Sequence, residues 1–162
     1  MQALRSEPAD TSDIVTISFV VDAVDGPSVM LYPRRHKAQV GDQMTFLIHA
    51  EEVSNLMAAE LHMEYDTTAL SVDAINQGSF FMNGQESIFS FEKGNGTISV
   101  LTSIVNSDAP AVSGTGPLVE MQVTLLGTSD ATISFTGNDI FRDPNNNDFA
   151  ILERVNGRIT VE

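Results

Sequence analysis

The chain has no cysteine and no tryptophan, and only 8 of its 162 residues are Lys or Arg, against 22 Asp or Glu. Without cysteine there is no disulfide framework, so the core alone must hold the fold. A chain of this length buries roughly 70% of the surface its unfolded form exposes, which suffices for one undivided domain. The missing cysteine does not assign a reducing compartment, since a domain with enough core is stable outside the cell too. The net charge of -14 repels phosphate backbones, which argues against nucleic acid and anionic membranes as partners. It suits a basic partner, a surface that holds cations, or plain solubility. Long apolar runs are also missing. The longest, residues 14–21 (IVTISFVV), falls far short of the ~20 residues a spanning helix needs. It lacks the basic flank and small-residue cleavage site of a signal peptide.

Helical periodicity is scarce as well. Apolar residues recur mostly at every second position, the period of a strand with one buried face. Met44, Phe46, Ile48 and Ala50 share one face of their segment. Leu61, Met63 and Tyr65 alternate with Glu60, His62 and Glu64, and Val119, Met121, Val123 and Leu125 repeat the pattern. Shorter versions occupy residues 98–104, 132–135 and 158–161. Turn signals stand between them: Val40-Gly41-Asp42, Gly94-Asn95-Gly96, Ser113-Gly114-Thr115-Gly116-Pro117, the run from Asp143 to Asp148, and Asn156-Gly157. Many short strands at this spacing predict an antiparallel sandwich or barrel. Short helical turns are expected only at residues 57–59 and 66–70. Residues 1–25 read as a lead-in, polar over its first dozen residues, and residues 26–162 as the domain. Residues 14–21 are either an additional strand, turned toward Val29-Met30-Leu31-Tyr32 by Asp25-Gly26-Pro27-Ser28, or a linker from a preceding domain.

Enzymatic chemistry finds little footing. His36, His49 and His62 lie in separate segments with no triad arrangement around them. His36 belongs to Arg34-Arg35-His36-Lys37, which reads as a solvated turn or a local anion contact. His49 sits opposite the apolar column of its strand and is expected in solvent. Glu60, His62 and Glu64 share a strand face, but positions two apart on a strand are ~6.6 Å apart, too wide for tight shared coordination. A hydrated polar face is the simpler reading. Carboxylates are plentiful, yet no spacing singles out a hydrolytic pair. Asp143-Pro144-Asn145-Asn146-Asn147-Asp148 begins like a calcium loop but lacks the Gly at the sixth position, and Arg154 stands where the twelfth-position Glu belongs. No cofactor is expected, and calcium here is a minor alternative. Phe80 and Phe81 cannot both face inward if their segment is extended, so one is expected at the surface.

Several phrases in order resemble a cohesin domain of the non-cellulosomal kind. They are Val29-Met30-Leu31-Tyr32-Pro33 leading to Val40-Gly41-Asp42; Glu52-Val53-Ser54-Asn55-Leu56; Leu61-His62-Met63-Glu64-Tyr65-Asp66 with Leu70 four residues on; Gln77-Gly78-Ser79-Phe80-Phe81; Gly114-Thr115-Gly116-Pro117-Leu118; Arg142-Asp143-Pro144-Asn145; and Asn156-Gly157-Arg158-Ile159-Thr160-Val161. The resemblance covers residues 29–162. It implies a jelly-roll sandwich of about nine strands and a non-catalytic module. One sheet face of such a module docks a dockerin, a small calcium-dependent helical partner. It also implies an extracytoplasmic setting, secreted or in the cell envelope, within a larger exported protein.

Carried onto this chain, the docking face takes Ala58, Glu60 and His62, the positions alternating away from the apolar column. Glu60 stands where the family tends to place a hydrogen-bonding acid. Ala58 departs from the polar residue often found there, so standard dockerin specificity does not carry over. On residues 98–104, Ile98, Val100, Thr102 and Ile104 are expected toward the core, leaving Ser99, Leu101 and Ser103 outward; the reverse register would expose Val100. Carbohydrate binding and a structural spacer are the alternatives. The first is weakened by the aromatic shortage, with only Tyr32 and Tyr65 beside nine Phe.

Overall fold

The computed structural model describes residues 24–82, 86–105 and 110–162. The strand expected at residues 14–21 lies outside them. Among the described residues, twelve strands form two stacked sheets: β1 (Ser28–Tyr32), β2 (Arg35–Ala38), β3 (Gln43–Leu56), β4 (Ala58–Tyr65), β5 (Leu70–Gln77), β6 (Ser87–Lys93), β7 (Thr97–Ile104), β8 (Val112–Leu125), β9 (Ala131–Phe135), β10 (Ile140–Arg142), β11 (Glu153–Val155) and β12 (Gly157–Val161). The first sheet runs β11-β1-β3-β8-β5. The second runs β2-β12-β9-β4-β7-β6, with β10 also beside β4. The excess over about nine strands comes from β2, β10 and β11, each only three or four residues long.

Alternation fixes which side of each strand is buried. Leu61 and Met63 of β4, Ile98 and Val100 of β7, Phe46 and Ile48 of β3, and Val119, Met121 and Val123 of β8 are essentially inaccessible and form one core. Each such side chain contributes roughly 1.5–3 kcal/mol over leaving it in water. Tyr65 packs at the rim, partly buried. Partial desolvation pushes its phenol above the ordinary range.

β3 and β8 are longer than the alternation showed. The sequence ended the first strand at Ala50 and read residues 113–117 as a loop, yet both belong to one continuous pairing. Register shifts after Ile48 and on either side of Val53 let the strands bend, and Glu52 and Asn55 there take left-handed backbone angles of φ 52° and 57°. The ladder bonds lost at these bulges are replaced by hydroxyls: Glu52 N–H donates to Thr115 Oγ1 at 3.1 Å and Asn55 N–H to Ser113 Oγ at 2.9 Å. Polar residues there fill a strand's hydrogen bonds, which is why they read as loop.

Two segments cross from one sheet to the other side by side. Residues 28–38 pass from β1 to β2 around Pro33, and residues 153–161 pass from β11 to β12 at Asn156. They run parallel throughout, with Met30 opposite Val155 and Arg35 opposite Arg158. Asn156-Gly157 is therefore a crossing rather than a hairpin. A side chain at Gly157 would come within 3.0–3.1 Å of Phe46 and Leu31, so glycine lets the crossing close onto the core. The Arg34–Lys37 run is likewise corrected: from Arg35 it is a solvated edge strand, not a turn.

Of the two expected helical turns, residues 66–70 form one, with Leu70 N–H on Asp66 C=O at 2.9 Å. Asp66 caps the turn by accepting from the Thr68 hydroxyl and N–H, which hold its carboxyl below the usual range. Residues 57–59 do not: β4 already begins at Ala58. A 3-10 turn forms instead at Ser79–Phe81, where its curvature turns both Phe80 and Phe81 inward. The expectation that one of them is exposed fails because the segment is not extended.

Gly78, which enters this turn, lies against β8. A Cβ there would sit 2.2 Å from the Pro117 carbonyl oxygen, which is backbone and cannot swing aside. Gly78→Ala is expected to lower stability by about 1–3 kcal/mol, the usual cost of overpacking. Urea denaturation reads this directly, and an unchanged midpoint would mean that the two backbones are not locked together.

Candidate functional site

The outward face of β10-β4-β7-β6 collects every site residue expected from the sequence. Pairing sets them in rows across the strands. Arg142, Ala58, Ser103 and Ile88 form one row. Ile140, Glu60, Leu101 and Ser90 form the next, and His62, Ser99 and Glu92 the third. Neighbours within a row are about 5 Å apart and rows about 7 Å. Ala58, Glu60, His62, Ser99 and Ser103 are half-buried, and Leu101 is 39% exposed while Val100 is fully buried. The register is therefore the one that puts Leu101 outside.

Three apolar side chains, Ile140 (39% exposed), Leu101 and Ile88 (48%), stand in adjacent rows on this face. Glu60 separates Ile140 from Leu101. Beside Leu101 lies a shallow hollow of about 360 Å³ whose lining includes Glu60, Ser90, Glu92 and Ser99. Its charge is negative. The one basic residue in these rows, Arg142, is engaged by Asp148. The face thus offers apolar contact with acids beside it.

His62 and Glu60 are joined side to side, His62 Nε2 lying 3.0 Å from Glu60 Oε1. The pair orients both groups on the face. No group of three or more His, Asp or Glu able to hold a metal ion occurs among the described residues, and Glu64 is not drawn into the pair. In the Asn-rich loop Asp143 Oδ1 accepts from the N–H groups of Asn145 and Asn147, both at 2.8 Å, and Asp143 Oδ2 from Asn147 Nδ2 at 3.0 Å. The bonds from Asn147, with that from Asn145 N–H, depress its carboxyl. The carboxylate is spent closing its own turn.

Asp139 was missed by sequence reasoning and fixes the geometry of the face. β4 changes partner along one edge, pairing with β9 at residues 63–65 and with β10 at residues 58–60. The break falls at His62. Asp139 Oδ1 accepts its N–H at 2.7 Å, and Thr136 N–H donates to its C=O at 2.9 Å, so neither is orphaned. The side chain of Asp139 is fully buried, and Oδ2 is paired with Arg154 Nε of β11 at 2.7 Å. One carboxylate thus ties the face to the opposite sheet. Ile140, Ile88 and Glu92 were also missed. β10 is too short to show a period, and β6 has apolar residues on both sides.

A family model for the cohesin domain matches residues 33–161. The chain belongs to the cohesin domain family. Solved cohesins share the fold at low identity. A non-cellulosomal cohesin from the archaeon Archaeoglobus fulgidus superposes with TM-score 0.69 at 18% identity, covering 83% of this chain and 90% of that one. The sixth cohesin of scaffoldin B from Acetivibrio cellulolyticus, crystallised with a Cel5 dockerin mutant, gives 0.71 at 18%, covering 83% and 98%. A type I cohesin–dockerin complex from Clostridium thermocellum gives 0.71 at 18%, again covering 83% and 98%. No curated protein matches the chain.

Asp139→Ala should leave the His62 N–H and the Arg154 guanidinium without their acceptor. A loss of about 2–4 kcal/mol is expected, with Asp139→Asn costing less because it keeps an acceptor for the N–H. Thermal and denaturant unfolding test the pair. An alanine variant as stable as the parent would show that water replaces the carboxylate.

Proposed function

We propose that this cohesin domain is a non-catalytic docking module. Its outer β10-β4-β7-β6 face binds a dockerin or dockerin-like protein through Ala58, Glu60, His62, Ser99, Leu101 and Ser103. The observation that carries the reading is Leu101, an exposed apolar side chain in the middle row, flanked by Glu60 and Ser90 in a chain of the cohesin family. Relatives of the same fold have been crystallised with dockerins, which supports a protein partner. Ile140 and Ile88 extend the apolar contact, and the acids beside it favour a partner with basic residues around an apolar strip. By resemblance, that partner is itself calcium-dependent.

The setting that fits is extracytoplasmic, within a larger exported protein. No helix among the described residues is long and apolar enough to cross a membrane. Carbohydrate binding and a spacer role gain no specific observation here. The outward rows among the described residues hold no aromatic side chain, and the hollow beside Leu101 has one, Phe91, without a second ring to form a sugar platform.

Binding of purified dockerins by calorimetry, including those of the same genome, tests the reading. Leu101→Asp should cost at least ~2 kcal/mol of binding and leave the fold intact, because its position already faces solvent. If both it and the parent bind a verified dockerin equally, the docking face lies elsewhere.

Glu60→Lys reports on charge. It should weaken a basic partner, and more at 50 mM than at 500 mM salt, since exposed charges are screened over roughly 10 Å at 0.1 M ionic strength. Equal weakening at both salts would locate the effect in shape rather than charge.

A further inference from the structure

On the first sheet, His49 was expected in solvent but is partly buried, and desolvation lowers its pKa against the opposing charge of Glu51. Open apolar surface lies at a sheet edge instead. Among the described residues the two sheet orders have four ends, and three carry devices that discourage further pairing. β11 has only three residues, and β2 has four with Arg35 and Lys37 exposed. β5 is interrupted by a register shift at Asp73. β6 is the exception. It runs seven residues without proline or bulge, and Ile88 and Phe91 are 48% and 47% exposed. Its lysine, Lys93, folds across to the first sheet, where Nζ donates to the Val72 carbonyl at 2.9 Å.

The pairing with β7 shows which backbone groups of β6 are free. Gly94 N–H donates to Thr97 C=O at 2.9 Å and Val105 N–H to Glu86 C=O at 3.0 Å, so the even-numbered residues bond to β7. Ser87, Phe89, Phe91 and Lys93 therefore turn their N–H and C=O groups away from the sheet. Their side chains point toward β5, with the rings of Phe89 and Phe91 6.2 Å apart. A hollow of about 50 Å³ lies between Phe91 and Val72, Ala74 and Ile75, so the sandwich is not fully closed at this edge.

We propose that two copies of this chain pair through β6, antiparallel and centred on Ser90. The strand is nearly its own complement, because Phe89 mirrors Phe91 about Ser90 and Ser87 mirrors Lys93. In that register Phe89 stands opposite the second copy's Phe91, a favourable aromatic cross-strand pair beside the hollow. All eight free groups of each strand are then bonded, and a shifted register leaves some of them unpaired. Like charges do not meet, since Glu92 faces Ile88 across the seam and the two Glu92 lie roughly 14 Å apart. The two-fold axis stands perpendicular to the sheet, so both copies present their outer faces to the same side. The seam uses the edge rather than the face and does not depend on docking. A net charge of -14 on each copy opposes association at long range, an effect that salt screens.

The lack of cysteine makes the register directly testable. Across the axis the two Ser90 residues form a pair without mutual hydrogen bonds, whose Cα atoms lie about 4.5 Å apart, within disulfide reach. In the full chain, Ser90→Cys should therefore cross-link into a dimer under mild oxidation. Ile88→Cys alone should cross-link at least roughly tenfold more slowly, because its two copies stand about 14 Å apart. Mixed with Glu92→Cys, it should form the mixed dimer. Sedimentation of the parent should show a reversible dimer that tightens as salt rises. Phe91→Pro removes an outward N–H without touching the bonds to β7 and should weaken that dimer by roughly tenfold or more. Leu101→Asp, on the face, should leave it unchanged. A parent that stays monomeric at every salt would overturn the proposal, as would equal cross-linking through Ser90→Cys and Ile88→Cys. A dimer indifferent to a folded Phe91→Pro would do the same, and the cross-linking decides the matter if that variant does not fold.

Discussion

β3 and β8 lie against each other over fourteen residues apiece, and the bulges in that ladder decide the shape of everything attached to it. A straight pair of this length would carry one face out of the core, because a period of two has no way to turn a corner. The shifts around Ile48, Ala50 and Val53 turn it. Backbone amides freed by the shifts are taken up by Thr115 and Ser113 rather than by water. Beyond the last shift, Leu56 and Met57 hand the chain to β4 and so to the opposite sheet. The position of the proposed docking face follows from where that hand-over happens.

A second constraint acts on the face itself. Along one edge β4 has no single continuous neighbour, since β9 and β10 meet it at different heights, while β7 runs unbroken along the other. A gap in a ladder normally admits water or frays. Here a buried carboxylate fills it and is neutralised from the other layer by Arg154. The outcome is an array of rows pinned from beneath, with Leu101 in the middle row.

The parts of the fold that were legible in the sequence are those where one side of a strand is wet. Leu61 and Met63 against Glu60 and His62, or Met121 and Val123 against Gln122 and Thr124, declare both strand and side, and the rows of the face follow from them. Illegible parts had physical causes. β10 has three residues, too few for any period. β6 sits at a sheet edge where Ile88 and Phe91 are both exposed, so neither side reads as buried. Ser113 and Thr115 look like loop because their hydroxyls stand in for ladder bonds. Phe80 and Phe81 mislead because a 3-10 turn brings neighbours to the same side, which an extended chain cannot do. Asp139 gives no local signal at all: its partners, His62 and Arg154, are distant in sequence and meet only after folding.

The side-by-side crossing of residues 28–38 and 153–161 has a mechanical meaning. Because the two segments run parallel, Ser28 and Val161 sit at opposite ends of the shared seam. Tension drawn through those two points pulls the segments lengthwise past each other. The load then falls on the hydrogen bonds of β1–β11 and β2–β12 together, in shear, rather than on one bond at a time as when a hairpin is peeled open. Gly157, wedged on Phe46 and Leu31, keys that seam into the core, so sliding must also drag apolar side chains out of their packing. A domain threaded into a longer chain this way resists stretching along the direction in which its neighbours would pull.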